Sequence, residues 1–189
     1  MAMPVTPSQT VGPFLRIGLD WLNSADLGGS DAPGERFTIE GRVLDADGEP
    51  VPDALLEFWL ADPQGTYGEE RERARDATAA PFRGFGRVPT DGRGEFRFTT
   101  IKPGRVPAPD GTLQAPHIVV TIFMRGLLKH LVSRIYFPDE AANADDMALN
   151  LVPAERRRTL IARRAESGDT RLTWNVVLQG AEETVFFDV

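Results

Sequence analysis

The sequence predicts a mainly β chain: an antiparallel β-sandwich with short helices and an extended N-terminal arm. Three observations carry that expectation. Seven short segments have strand character, turns rich in Gly, Pro and Asp separate them, and only two stretches read as helical. A length of 189 residues suits one domain, 1–189, with a core large enough to need no disulfide or structural metal.

The arm comes first. Residues 1–34 are rich in Pro, Gly, Ser and Asp around FLRIGLDWL (14–22), and DAPGER closes the segment with turn residues. Phe14, Leu15, Ile17, Leu19, Trp21 and Leu22 are too many apolar groups to leave in water, so the arm is expected to pack against something. Strands follow. RFTIEGRVLDA (36–46) places Phe37 and Ile39 on one face, with Val43 after a glycine, and the turn sequence DGEP leads into ALLEFWLAD (54–62). GEFRFTTI (94–101) alternates Phe96 and Phe98 against Arg97 and Thr99, after the turn TDGRG. HIVVTIFMRG (117–126), HLVSRIYF (130–137), TRLTWNVVLQG (170–180) and ETVFFDV (183–189) complete the set. Gly84 and Gly86 in GFG read as a bulge or a close backbone approach.

DEAANADDMALN (139–150) is a short helical candidate. PAERRRTLIARRA (153–165) is a better one, with Pro153 at a first helical position and Glu155 near the positive end of the dipole. Arg156, Arg157, Arg158, Arg163 and Arg164 on that helix read as a solvated or salt-bridged face.

Composition excludes several functions. The chain has no cysteine, so thiol nucleophiles, thiolate metal sites and iron–sulfur clusters are out. A net charge of −7 speaks against nucleic acid as a partner. No run of about 18 apolar residues predicts a membrane span, and the N-terminus lacks a signal peptide's basic start and apolar run, so the expected location is the cytoplasm. Gly-rich phosphate cradles and a Gly-x-Ser-x-Gly elbow are absent, and no spacing suggests a Ser–His–Asp site. Only two histidines, His117 and His130, and two tyrosines, Tyr67 and Tyr136, occur, with no His-x-His pair. By itself His117 reads as a strand histidine bonded to a neighbour, His130 as an exposed one.

Several segments nevertheless resemble one family. TPSQTVGPF (6–14), GRVLDADGEPVPDALLEFWLADPQGTY (41–67), FRGFGRVPTDGRGEFRFTTIKPG (82–104), QAPHIVVTIFMRG (114–126), SRIYFPDE (133–140) and the tail GAEETVFFDV are similar to the intradiol aromatic-ring dioxygenases. The resemblance covers nearly the whole chain. It implies an Fe(III) centre held by two tyrosinates and two histidines, which binds a catechol and activates it for attack by O2. The two histidines belong to a His-x-His on one strand, where residues two apart share a face.

This chain keeps His117, but Val119 stands at the second histidine position. Val106 stands where iron-bearing relatives place a tyrosine after IKPG, and Tyr67 matches the other tyrosine. Valine has no lone pair to donate. The resemblance therefore implies no metal in this chain, with Tyr67, Val106, His117 and Val119 as vestigial positions, and His117 and Tyr67 buried and bonded to each other or to backbone. Fe(III) is expected in a partner chain of the same fold, whose pocket takes a small aromatic substrate. Arm residues Thr10, Gly12 and Pro13 are expected to line that pocket, with Arg134 as the catalytic arginine pointing toward it. From the residues alone, Thr10–Pro13 reads as a structured turn and Arg134 as a surface strand arginine. Two other readings stay open: a transthyretin-like binding module, and a self-sufficient intradiol enzyme with altered ligands.

Overall fold

The computed structural model describes residues 5–29, 32–68, 82–165 and 170–188. The first four arm residues, Asp31 in its closing turn and Val189 at the end of the seventh predicted strand lie outside these.

Two sheets form the body. The first contains β1 (Arg36–Leu44), β4 (Glu95–Ile101), β7 (Arg163–Arg164), β8 (Arg171–Thr173) and β9 (Val176–Val177), in the order β4-β1-β8-β7 with β9 also on β1. The second runs β3-β2-β5-β6, from β2 (Leu55–Trp59), β3 (Phe85–Pro89), β5 (His117–Phe123) and β6 (Leu131–Tyr136). Alternation puts Phe37, Ile39, Val43, Phe96 and Phe98 of the first sheet against Leu56, Phe58, Ile118, Val120 and Ile122 of the second, all buried. Phe58 and Phe98 meet at 4.1 Å between ring centroids. Trp174 closes one end, its indole N–H donating to the Thr159 carbonyl at 2.9 Å.

The sandwich differs from the expectation in four places. β1 pairs with β8 and β9 in parallel, so the first sheet is mixed rather than antiparallel. The segment 170–180 is split at Asn175, whose Oδ1 accepts the Arg42 backbone N–H at 3.0 Å. The helix expected over 153–165 is replaced by a single 3₁₀ turn (Arg157–Thr159) followed by β7. Leu160 and Ala162 are buried while Arg163 and Arg164 are exposed, an arrangement that suits extended chain. The arginines serve local closure instead. Arg156 donates to the Glu183 carbonyl at 3.1 Å, Arg157 to the Val152 carbonyl at 2.9 Å, and Arg158 pairs with Glu182 at 2.5 Å. The tail 183–188 makes an isolated bridge, Val132 to Phe187, rather than a strand. The 139–150 candidate holds a 3₁₀ turn (Ala141–Asp145) and one short helix, Met147–Asn150.

The arm is only partly extended. It forms a four-residue helix, α1 (Phe14–Ile17), then a 3₁₀ turn over Asp20–Leu22. Leu27 is fully buried, and a Cβ on Gly86 would lie 2.3 Å from Leu27 Cδ1, so the close approach expected of that glycine is real. Arg87 of β3, itself buried, donates to the Leu15 carbonyl at 2.7 Å and lies 3.7 Å from Glu57. Replacing Arg87 with alanine is expected to cost about 2 kcal/mol, the order of a charge-assisted hydrogen bond, and to make α1 the first site of limited proteolysis. An unaltered cleavage pattern would rule out Arg87 as the anchor. Leu15 and Leu19 are half-buried, while other apolar groups of the arm stay in water: Phe14 is 79% exposed, Ile17 70% and Trp21 78%.

Candidate functional site

The four positions expected to be vestigial lie around one end of the four-stranded sheet. His117 and Val119 share the outward face of β5, because their even spacing sends Ile118 and Val120 into the core. Tyr67 follows a tight turn in which Asp62 Oδ1 accepts the Gln64 and Thr66 N–H groups at 2.9 Å each. The Gly104 N–H donates to the Asp62 carbonyl at 2.8 Å, joining that turn to the loop of Val106. Val106 is buried, and its carbonyl accepts the Gln114 N–H at 2.9 Å, three residues before His117. Backbone bonds therefore link the loops of Tyr67 and Val106 to the start of β5.

Ferric ion does not fit this set. Two of the four positions present only hydrocarbon. Arg134 of β6 sits directly across from Val119 in the β5–β6 register, so a cation stands beside that position. Among the described residues, no group of three or more His, Asp or Glu is arranged to hold a metal ion.

His117 is 5% exposed, and its Nδ1–H donates to the Ala115 carbonyl at 2.7 Å. The expected bond to backbone is present for His117, and the ring beside it is that of Tyr136, with centroids 5.8 Å apart, whereas Tyr67, expected to be buried, is only half-buried at the end of its turn. Burial first, and the Arg134 charge second, lower the imidazole pKa from 6.5 to about 4, so it stays neutral. The unfolded chain takes up a proton below pH 6.5 that the folded one refuses until about pH 4. Stability should therefore fall as pH drops through that window, by about 2 kcal/mol between pH 7.5 and 5. Urea titrations at the two pH values test this against His117→Gln, which should remove most of the difference; an equal pH slope in the variant would disprove it.

Tyr136, the other tyrosine, is fully buried. Burial raises its phenol well above the ordinary value, so it is neutral, and its hydroxyl donates to Asp146 Oδ1 at 2.9 Å. Asp146 is also fully buried. Its Oδ2 accepts the Ala115 N–H at 2.7 Å, and its Oδ1 caps the Met147–Asn150 helix by accepting the Leu149 N–H at 2.8 Å. Arg134 is half-buried. Its Nη1 donates to Gln114 Oε1 at 2.8 Å and to the Tyr136 hydroxyl oxygen at 3.4 Å, and its guanidinium lies 5.8 Å from the Phe187 ring centroid. Gln114, Tyr136, Asp146 and Phe187 carry no motif that marks them. The one sequence signal was that Arg134 and Tyr136, two apart on a strand, share a face.

Thr10, Gly12 and Pro13 lie elsewhere on the chain. The Thr10 hydroxyl accepts the Gly126 N–H at 2.8 Å and donates to the Met124 carbonyl at 3.4 Å, holding the arm to the β5–β6 turn. Gly12 and Pro13 are exposed and border a groove of about 550 Å³ with Leu55, Phe123 and Arg125. Met124 stands five positions beyond Val119, roughly 17 Å along an extended strand, so the chain alone does not bring Thr10 to Arg134. His130 is exposed, as expected, beside Phe123 at 5.7 Å.

A dioxygenase family model matches residues 20–180. The protocatechuate 3,4-dioxygenase alpha chain of Burkholderia cepacia is 45% identical, over 97% of this chain and 97% of its own. The protocatechuate 3,4-dioxygenase beta chain of the same organism is 33% identical, over 96% of this chain and 78% of its own. Among solved structures, the dioxygenase domain of a dioxygenase–carbohydrate-binding fusion from Streptomyces sp. SirexAA-E superposes with a TM-score of 0.61 at 28% identity, covering 86% of this chain and 89% of that one. A stand-alone transthyretin-like binding module does not account for matches of this length. From a two-sheet sandwich and matches along nearly its whole length, it follows that the chain belongs to the intradiol ring-cleaving dioxygenase family.

Proposed function

We propose that the chain is the iron-free alpha-type subunit of a heteromeric protocatechuate 3,4-dioxygenase, acting in the cytoplasm as a single unit. With an iron-bearing beta-type partner it would open protocatechuate between its hydroxylated carbons, using O2, to give 3-carboxy-cis,cis-muconate. The observation that carries this reading is the pairing of Val119 with Arg134: hydrocarbon where a ligand would stand, and beside it an arginine with no carboxylate partner among the described residues. Protocatechuate is an anion, and a fixed guanidinium is suited to its charge where water is scarce. Arg134 is therefore the group this chain contributes to substrate binding. Thr10, Gly12 and Pro13 line the partner's pocket from the arm. Arm residues Phe14, Ile17 and Trp21, exposed in the isolated chain, are a surface suited to burial against the partner.

Co-expression with a beta-type chain, followed by separation of the subunits and metal analysis, tests the proposal. Iron is expected with the partner alone. The mixed preparation should be coloured and active, and this chain by itself colourless and inactive. Stoichiometric iron in the isolated chain would defeat the reading.

A further inference from the structure

Many cationic side chains among the described residues are spoken for. Among the described residues, Arg42 and Arg93 pair with Glu95, Arg125 with Asp53, Arg158 with Glu182, Arg164 with Asp139, and Lys102 with Glu140. Arg16 and Arg105 give their N–H groups to backbone carbonyls. Arg134 is held differently. Its acceptors are an amide oxygen and a phenol oxygen, both neutral, and the flat guanidinium rests near an aromatic ring.

Two of the three holders are themselves fixed. The Tyr136 hydroxyl sends its proton to Asp146, which leaves the phenol oxygen to accept from Arg134. Asp146 is pinned by the Ala115 and Leu149 N–H groups, so the phenol cannot turn away. Phe187 is carried on the tail by its N–H, which donates to the Val132 carbonyl at 2.8 Å. The buried carboxylate thus lies one residue behind the arginine, and the tyrosine stands between the two charges.

We infer that Gln114, Tyr136 and Phe187 are positioning residues that hold Arg134 in place without neutralising it, so that its Nη2 and Nε remain able to bind an outside anion. The inference rests on the reading that Arg134 meets the anionic substrate in the partner's pocket. A carboxylate in place of Gln114 would hold the same nitrogen at least as firmly, yet would cancel the charge on offer. A purely structural tether and a charge-preserving one therefore differ in what they predict for one substitution.

The test uses the assembled enzyme with protocatechuate. Gln114→Glu and Gln114→Leu should each raise KM about tenfold, with kcat within about twofold and with iron content and thermal midpoint unchanged; tenfold corresponds to 1.4 kcal/mol of binding. Tyr136→Phe, which keeps the ring and removes the acceptor, should raise KM about threefold. A Gln114→Glu enzyme with the wild-type KM would overturn the inference, because a charged holder would then serve as well as a neutral one. Arg134→Ala run beside them separates the two levels. Unchanged kinetics there removes Arg134 from the pocket and takes both readings down. A large loss in Arg134→Ala with none in the Gln114 and Tyr136 variants defeats only the positioning claim.

Discussion

Replacing Arg134 with alanine in the assembled enzyme will lower kcat/KM for protocatechuate by about 100-fold and leave the iron content unchanged. The expected loss is that of one charge-assisted hydrogen bond to an anion in a site sheltered from water, about 2–3 kcal/mol, and each 1.4 kcal/mol is tenfold in rate. The side chain is half-buried against Phe187 and Gln114, so truncation removes the charge without opening the core. Lysine at this position should recover only part of the loss, because a compact ammonium lacks the planar fork that lets one guanidinium nitrogen keep the Gln114 contact while the others are held facing outward. Steady-state kinetics on the three enzymes, with iron measured on each, gives the answer. A kcat/KM within twofold of wild type for alanine would place Arg134 outside the pocket.

The largest effect on stability should come from Asp146→Ala, about 3–5 kcal/mol. Three donors converge on this fully buried carboxylate: two backbone N–H groups and the Tyr136 hydroxyl. Truncation leaves all three without an acceptor in a region where water cannot substitute, and it uncaps the helix behind them. Against a typical total of about 5–15 kcal/mol, such a loss leaves a chain that is barely folded at room temperature. The Asp146→Asn variant would still offer one acceptor oxygen and should recover roughly a third to a half of the difference, on the usual worth of a single buried hydrogen bond. Urea unfolding at pH 7 measures both variants, and a cost under about 1 kcal/mol for alanine would show that the network relaxes around the gap.

Much of the sandwich was legible because its strands alternate strictly. Phe96 and Phe98, or Ile118, Val120 and Ile122, announce a buried face whatever the tertiary context. β3 was not legible: FGRVP is short, holds a glycine and a proline, and owes its place to pairing with β2. The segment 153–165 was misread because helix formers after a proline outweigh a two-residue alternation of Leu160 and Ala162, and because the demand of the Tyr136 backbone for partners is invisible locally. The Leu160 carbonyl accepts the Tyr136 N–H at 2.8 Å, and the Ala162 N–H donates back to the Tyr136 carbonyl at 3.0 Å. The site divided in the same way. The burial of His117 and its bond to a backbone carbonyl were readable from its place on a strand. The Asp146–Tyr136–Arg134 chain was not, since its members become neighbours only once β6 and the segment after it fold back over β5.

The arrangement of β1 bears on how the molecule is made. One side of this strand hydrogen-bonds to β4, but the other is completed by Arg171–Thr173 and Val176–Val177, with the Arg42–Asn175 contact spanning 133 residues. During synthesis that side remains open until residues 171–177, more than 130 positions later, have left the ribosome. Such distant pairing is slow to form, and an unpaired strand edge is an invitation to aggregation in the meantime. Chains terminated before residue 171 should therefore accumulate as insoluble protein rather than as smaller soluble domains.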